Sequence, residues 1–237
     1  MFLIFYFLFA VSASLRLSHT LTVEFVERMS MAIIRVLPEQ VANKIAAVEV
    51  VERPSSVVKE LIENSLDAQA TRISVSIRYG GKSLIKVVDN GNGMDREDAE
   101  LSLKSHATSK ISNSEDIFTI NSFGFRGEAL PSIASVSRMI LQTRRISDQL
   151  GTEITIAGGR IESITEKALS VGTGVEVSDL FFNTPARKKF MKGERAEYVS
   201  IADAITTISL AYPEVAFKLS KDGKQVFDYP SCSHLKE

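Results

Sequence analysis

Apolar residues recur along this chain with two different periods. From Pro54 to about residue 67, Val57, Val58, Leu61, Ile62 and Leu66 keep one side of a helix apolar, and Pro54 suits its first turn. The next residues change period: Ile73, Val75 and Ile77 alternate with polar neighbours, Gly80-Gly81 marks a turn, and a second apolar run reaches Val88. This predicts a hairpin against a helix. Asp95 can cap a short helix whose first turn carries Glu97 and Asp98, where the helix dipole favours negative charge. A loop region from His106 to Phe123 then leads to a helix near 127–137. Beyond it strands dominate. Met139, Leu141 and Thr143 alternate, Gly158-Gly159 separates the segments of Ile154 and Ile161, and Val175 and Val177 continue the series. Tyr198, Ile201, Ile205 and Ile208 form a helical stripe ending before Pro213, and Asp222-Gly223 joins short strands holding Phe217 and Val226. Helices grouped among antiparallel strands predict an α+β fold: a two-layer sandwich whose mixed, mostly antiparallel sheet is covered by helices on one face.

Composition narrows the chemistry. The 237 residues carry 28 Lys and Arg against 29 Asp and Glu, a net charge of −1, so any nucleic-acid contact must come from a local patch. A single cysteine, Cys232, excludes a disulfide framework and a thiolate-rich zinc site, and makes a reducing, cytoplasmic compartment the simplest expectation; His19, His106 and His234 are too scattered for a histidine metal site. The apolar run Phe2–Val11 is short of the roughly 20 residues needed to span a bilayer; with Ser12, Ala13 and Ser14 after it, it resembles a secretory signal and cleavage site, against which no Lys or Arg precedes it. With Met29 and Met31 just before a well-formed domain start, residues 1–30 are expected to be an upstream extension or artefactual start.

Two nucleotide motifs fail. Gly81-Lys82-Ser83 lacks the glycine a P-loop requires at position 76, which is Ser, and a strand follows instead of a helix. Gly91-Asn92-Gly93 has Arg96 where a dinucleotide fingerprint needs its third glycine. No Gly-x-Ser-x-Gly elbow is present either.

Three other groupings survive. On the first helix Asn64 lies ~40° and Asp67 ~20° either side of Glu60 at 100° per residue, so the three polar groups share a stripe. That stripe is either a solvated face or a site where a carboxylate orients water and an amide oxygen completes the shell of Mg2+. Asp89-Asn90-Gly91-Asn92-Gly93 follows a strand and reads as a plain turn, or as an aspartate that accepts from an adenine amino group while the glycines let backbone approach a ligand. Gly124-Phe-Arg-Gly-Glu-Ala-Leu130 precedes an apolar helix whose free N–H groups could bind phosphate, with His106-Ala-Thr-Ser-Lys110 nearby in the chain.

The order and wording of these pieces, together with Ile45-Ala-Ala-Val-Glu-Val-Val-Glu-Arg-Pro54, Lys59-Glu-Leu-Ile-Glu-Asn-Ser-Leu-Asp-Ala68 and Asn183-Thr-Pro-Ala-Arg-Lys-Lys-Phe190, resemble the N-terminal ATPase domain of MutL-type DNA mismatch-repair proteins. That family lies within the gyrase, Hsp90, histidine-kinase and MutL superfamily. The resemblance implies the Bergerat-type ATPase fold, with ATP and Mg2+ as cofactors. It implies Glu60 as the general base, Asn64 as the metal ligand and Asp89 as the adenine reader, helped by Thr173. Gly93, Thr108, Ser109, Lys110 and the loop Gly124, Phe125, Arg126, Gly127 and Glu128 would complete the nucleotide site, the last two groups as a flap over the phosphates. Phosphoryl transfer needs positioning and charge neutralisation more than covalent chemistry, so this set suffices.

The same resemblance implies an ATP-driven switch that couples mismatch recognition to later repair. Its partners would be a mismatch-recognition protein, DNA, and a second copy in the full-length protein. Val48 stands where the family has Gly, in a backbone that a β-branched residue suits poorly. Residues 31–212 are expected to form the ATPase domain and 213–237 to begin a truncated second α/β domain. A fragment of that kind would bind ATP but hydrolyse it weakly, or act only as a non-catalytic scaffold. Arg187, Lys188, Lys189 and Lys192 form the clearest basic cluster and the candidate contact to DNA phosphates, with Arg144 and Arg145 a smaller one.

Overall fold

A computed structural model describes residues 50–108 and 127–232. Helix α1 (Pro54–Asp67) runs over the predicted span, with Pro54 in its first turn and Arg53 extended before it. Its far end closes on Gln69, in the left-handed region at φ 61°: Gln69 N–H donates to Leu66 O (2.9 Å) and Ala70 N–H to Ser65 O (3.0 Å). These two bonds satisfy carbonyls that the helix end would leave bare. Strand β1 (Arg72–Arg78), a 3-10 turn (Tyr79–Gly81) and β2 (Leu84–Asp89) form the expected hairpin.

Helix α2 (Arg96–Leu101) starts at Asp95, whose side chain accepts from the Asp98 N–H at 2.8 Å, as its sequence predicts. Helix α3 (Ala129–Ser135) is shorter than the 127–137 expected. Val136 N–H already donates to Ile133 O, and Arg138 opens strand β3 (Arg138–Arg144). Strands β4 (Gly151–Ala157), β5 (Arg160–Lys167) and β6 (Gly172–Ser178) follow, then helix α4 (Pro185–Phe190), helix α5 (Glu194–Ala211), and strands β7 (Ala216–Lys221) and β8 (Lys224–Tyr229).

The eight strands make one sheet in the order β5-β4-β3-β6-β2-β1-β7-β8. Every neighbouring pair is antiparallel except β1 and β7, so the expected mixed, mostly antiparallel sheet is present. Strands β7 and β8 follow the boundary expected at residue 213. β7 lies in parallel register beside β1, pairing Ile73 with Phe217 and Val75 with Leu219, and β8 extends the same sheet. The apolar residues Phe217 and Leu219 of β7 are buried in the same core.

Register shows why one face is covered. Val75, Val87, Val175, Leu141 and Ile154 lie on facing positions across five strands, as do Ile77, Ile85, Val177, Met139 and Ile156. All are buried, and α1, α3 and α5 pack on this side with Val57, Val58, Leu61, Ile62, Ile133, Ile201 and Ile205. The other face carries cross-strand polar pairs, including Lys86 with Glu176 (3.2 Å) and Lys167 with Glu153 (2.6 Å). Such alternation suits a sheet with one wet side.

A buried ion pair ties the residues before α1 to α5. Glu197 is 1% exposed, and its Oε2 accepts from Arg53 Nη2 (3.0 Å) and Nε (3.2 Å) while Oε1 accepts from Lys192 N–H (2.8 Å). Arg187, on α4, donates to Val51 O at 2.8 Å and lies over the Phe181 ring. Glu197→Ala should strand the Arg53 charge and a backbone N–H together, lowering stability by about 3 kcal/mol in urea denaturation. Glu197→Gln should lose less, because an amide oxygen can still accept.

Candidate nucleotide site

At one end of the covered face the apolar rows give way to polar ones. Thr143 stands opposite both Thr173 and Thr152, and Asp89 follows Val88, the last β2 residue paired with β6. Asp89, Thr143 and Thr152 are all buried. A core-facing row of hydroxyls and a carboxylate needs partners, and it has them.

Asp89 Oδ1 accepts from Gly91 N–H (2.8 Å) and Thr173 N–H (3.1 Å), and Oδ2 lies 2.8 Å from the Ser65 hydroxyl. Burial raises its pKa above the ordinary value. The bonds from Gly91, Ser65 and Thr173 oppose that shift without cancelling it. A carboxylate offers about four acceptor positions, and three donors converge on this one. The remaining acceptor position is on Oδ2.

The turn after Asp89 is held residue by residue. Asn90 Oδ1 accepts from Thr71 N–H (3.0 Å) and Arg72 N–H (2.8 Å), which caps the start of β1. Gly91 lies so close to the end of α1 that an added Cβ would be 2.6 Å from Ala68 O, the same oxygen that accepts from Asn92 N–H at 2.8 Å. Gly93, at φ 67°, presses against the Arg144 carbonyl. Met94 N–H then donates to Thr143 Oγ1 at 2.8 Å, and Asp95 pairs with Arg145. The glycines therefore serve close backbone approach within the fold.

Ser65 connects this pocket to α1. It follows Asn64 directly and shares the Leu61 stripe that faces the core, so Glu60 and Asn64 lie on the neighbouring stripe at the edge of the covered face, both half-buried. Helical periodicity places Ser65 correctly as a core position, but nothing in the sequence marks its hydroxyl as a partner of Asp89. Thr143 is likewise invisible beforehand except as an inward position of a strand.

Of the flap residues, Thr108, Gly127 and Glu128 are described. Gly127, at φ 61°, sits against the Ala107 backbone, and Glu128 Oε1 lies 3.2 Å from His106 Nδ1, so the two ends of the intervening stretch meet. Ser109, Lys110, Gly124, Phe125, Arg126 and Val48 lie outside the described residues. In the basic cluster, Lys188, Lys189 and Lys192 are exposed. Arg187 is half-buried, and its guanidinium is engaged with Val51 O and Phe181, because the turn of α4 points it back at the core edge. Helix α4 itself was not anticipated, although Pro185 after Thr184 is a helix-start signal. Arg144 and Arg145, the smaller cluster, are likewise engaged, the former with Leu169 O at 2.6 Å and the latter with Asp95.

Among the described residues no group of three or more His, Cys, Asp or Glu side chains is arranged to hold a metal ion, and no helix is long and apolar enough to cross a membrane.

Comparison with known proteins agrees with this geometry. The profile of the family described as "Histidine kinase-, DNA gyrase B-, and HSP90-like ATPase" matches residues 51–173. The DNA mismatch repair protein MutL of Opitutus terrae is 52% identical over 207 residues, 87% of this chain and 33% of that protein. MutL of Koribacter versatilis is 58% identical over 189 residues, 80% of this chain and 29% of that protein. The chain thus spans about a third of the length of these relatives. Among solved structures, the Aquifex aeolicus MutL ATPase domain complexed with ADP superposes with a TM-score of 0.62 at 38% identity, covering 78% of this chain and 66% of that one. The chain belongs to the histidine kinase-, DNA gyrase B- and HSP90-like ATPase family, as an ATPase domain of the MutL type.

Proposed function

We propose that this domain binds ATP with Mg2+ and hydrolyses it slowly, with Asp89 and Thr173 reading the base. The observation that carries the reading is the buried Asp89 carboxylate, fixed by three donors and joined through Ser65 to the helix bearing Glu60 and Asn64. An acceptor held in that way suits the exocyclic amino group of adenine. ADP in the Aquifex aeolicus relative supports the same ligand class.

The donors on α1 fit a magnesium ion: an amide oxygen from Asn64 and, one turn away, the Glu60 carboxylate are hard oxygen groups. Mg2+ commonly takes most of its ligands from phosphates and water, so few protein donors suffice. When bound, the ion would neutralise phosphate charge. Glu60 holds the proton-accepting position for the attacking water. Gly93, Thr108, Gly127 and Glu128, with Ser109, Lys110, Gly124, Phe125 and Arg126, surround the phosphates. Residues 31–232 act as the ATPase unit.

In the longer protein, ATP binding brings two such domains together and couples mismatch recognition by a partner protein to later repair steps in the cytoplasm. Arg187, Lys188, Lys189 and Lys192 supply weak, salt-sensitive contacts to DNA phosphates.

Calorimetric titration with ATP and Mg2+ tests the reading. Glu60→Ala should bind with wild-type affinity yet turn over about a hundredfold more slowly. Unchanged turnover in that variant would remove Glu60 as base, and no heat from the wild type would favour a non-catalytic scaffold.

A further inference from the structure

The Thr143 hydroxyl is a buried junction that the ligand-binding scheme leaves unused. Its Oγ1 lies 2.8 Å from Met94 N, 3.1 Å from Thr173 Oγ1 and 3.3 Å from Gly172 O, and the residue is 1% exposed. We propose that Thr143 is a positioning residue that sets the direction of the hydroxyl proton at Thr173, and through it the preference for adenine over a 6-oxopurine base. The inference rests on the reading of Asp89 and Thr173 as the base pocket.

The argument is a count of protons. A backbone N–H can only donate, so Thr143 Oγ1 accepts from Met94. A carbonyl can only accept, and Thr143 has one proton to give. If it gives that proton to Thr173 Oγ1, the shorter of its two contacts, the Thr173 proton is released towards the pocket. If it gives it to Gly172 O, Thr173 must donate back to Thr143 and shows the pocket lone pairs alone.

The two arrangements read different bases. Adenine presents an amino donor at C6 and an acceptor at N1, which matches an Asp89 acceptor beside a Thr173 donor, directly or through one water. A 6-oxopurine reverses both groups: its O6 faces the carboxylate and its N1–H needs an acceptor. The Met94 bond holds Thr143 in place from the turn after β2, so β6 and the Gly93-Met94 turn are tied to one hydroxyl. Thr173 N–H is already committed to Asp89, which leaves its hydroxyl as the adjustable group.

Replacing Thr143 by Val keeps the branched shape a strand prefers but removes the hydroxyl. Dissociation constants for ADP and inosine diphosphate, measured by calorimetry on the whole chain, should then change unequally. Wild type should prefer ADP. Thr143→Val leaves the Thr173 hydroxyl free to donate or to accept, so ADP affinity should change little while inosine diphosphate gains up to about tenfold, the scale of one hydrogen bond in a buried site, and Thr143→Ser should restore the preference. Thr143→Ala provides a second hydroxyl-free variant if Val is poorly packed. An equal loss for both nucleotides, or an unchanged ratio, would overturn the proposal, since a structural role alone moves both together. A wild type that binds neither would overturn the nucleotide reading itself, and this inference with it.

Discussion

Asp89→Asn should weaken binding of adenine nucleotides about a thousandfold while raising the melting temperature at neutral pH. The amide can keep its oxygen on the Gly91 and Thr173 N–H groups, which only donate. Its NH2 must then occupy the Oδ2 side, next to Ser65 and, on the proposed reading of the site, facing the base. There a donor meets the adenine amino donor, and both lose a partner; a site built for one hydrogen-bond pattern rejects the wrong one by several orders of magnitude.

Stability moves the other way because burial raises the Asp89 pKa above about 3.8, its ordinary value. Between that value and the raised one, the folded state binds more protons than the unfolded chain, so stability falls as pH rises through the window. At neutral pH the cost of the buried charge is fully present, and Asn removes it. The difference in melting temperature between variant and wild type should therefore shrink as pH falls through the window towards 3.8. A variant that binds ADP like wild type, or one destabilised at neutral pH, would contradict this account.

Much of the fold is legible in the sequence because periodicity reports burial directly. The stripe Val57, Val58, Leu61, Ile62 and the alternation Ile73, Val75, Ile77 have only one way to hide their apolar sides, and α1 and β1 follow. What periodicity cannot reveal is which strands become neighbours. Phe217 and Leu219 alternate as well in a separate domain as beside Ile73 and Val75, and only the parallel pairing distinguishes the two.

The site divides in the same way. Asp89 and its glycines stand out by residue type, but the donors that make Asp89 useful come from Ser65 on a helix and from Thr173, 84 residues away. Arg187 shows how helix geometry divides a run of like residues. Three basic residues in a row look like one patch, whereas a helical turn sends its first member to Val51 O and leaves the lysines outside.

Gly172→Ala should cost several kcal/mol and abolish nucleotide binding, whereas Gly174→Ala, two residues on in the same Gly-Thr-Gly, should be close to neutral. Gly172 has φ 114°, a conformation that side chains rarely adopt, and an added Cβ would sit 2.8 Å from Asn90 Cα and nearer still to Asp89 O. Both obstacles are backbone, so no rotamer change relieves them. Moving β6 away from β2 would draw Thr173 N–H off Asp89 Oδ1 and shift Gly172 O relative to Thr143. A Cβ on Gly174 projects instead towards the wet face, where its nearest neighbours are Val88 Cγ2 at 3.7 Å and Gln142 Oε1 at 3.9 Å, ordinary contacts. Strain plus forced backbone movement is a recognised source of losses above about 3 kcal/mol. Urea denaturation and ADP titration of the two variants side by side check the contrast: equal stabilities would mean that β6 can slide without disturbing Asp89, and the close seam between β2 and β6 would then not be what holds the carboxylate in place.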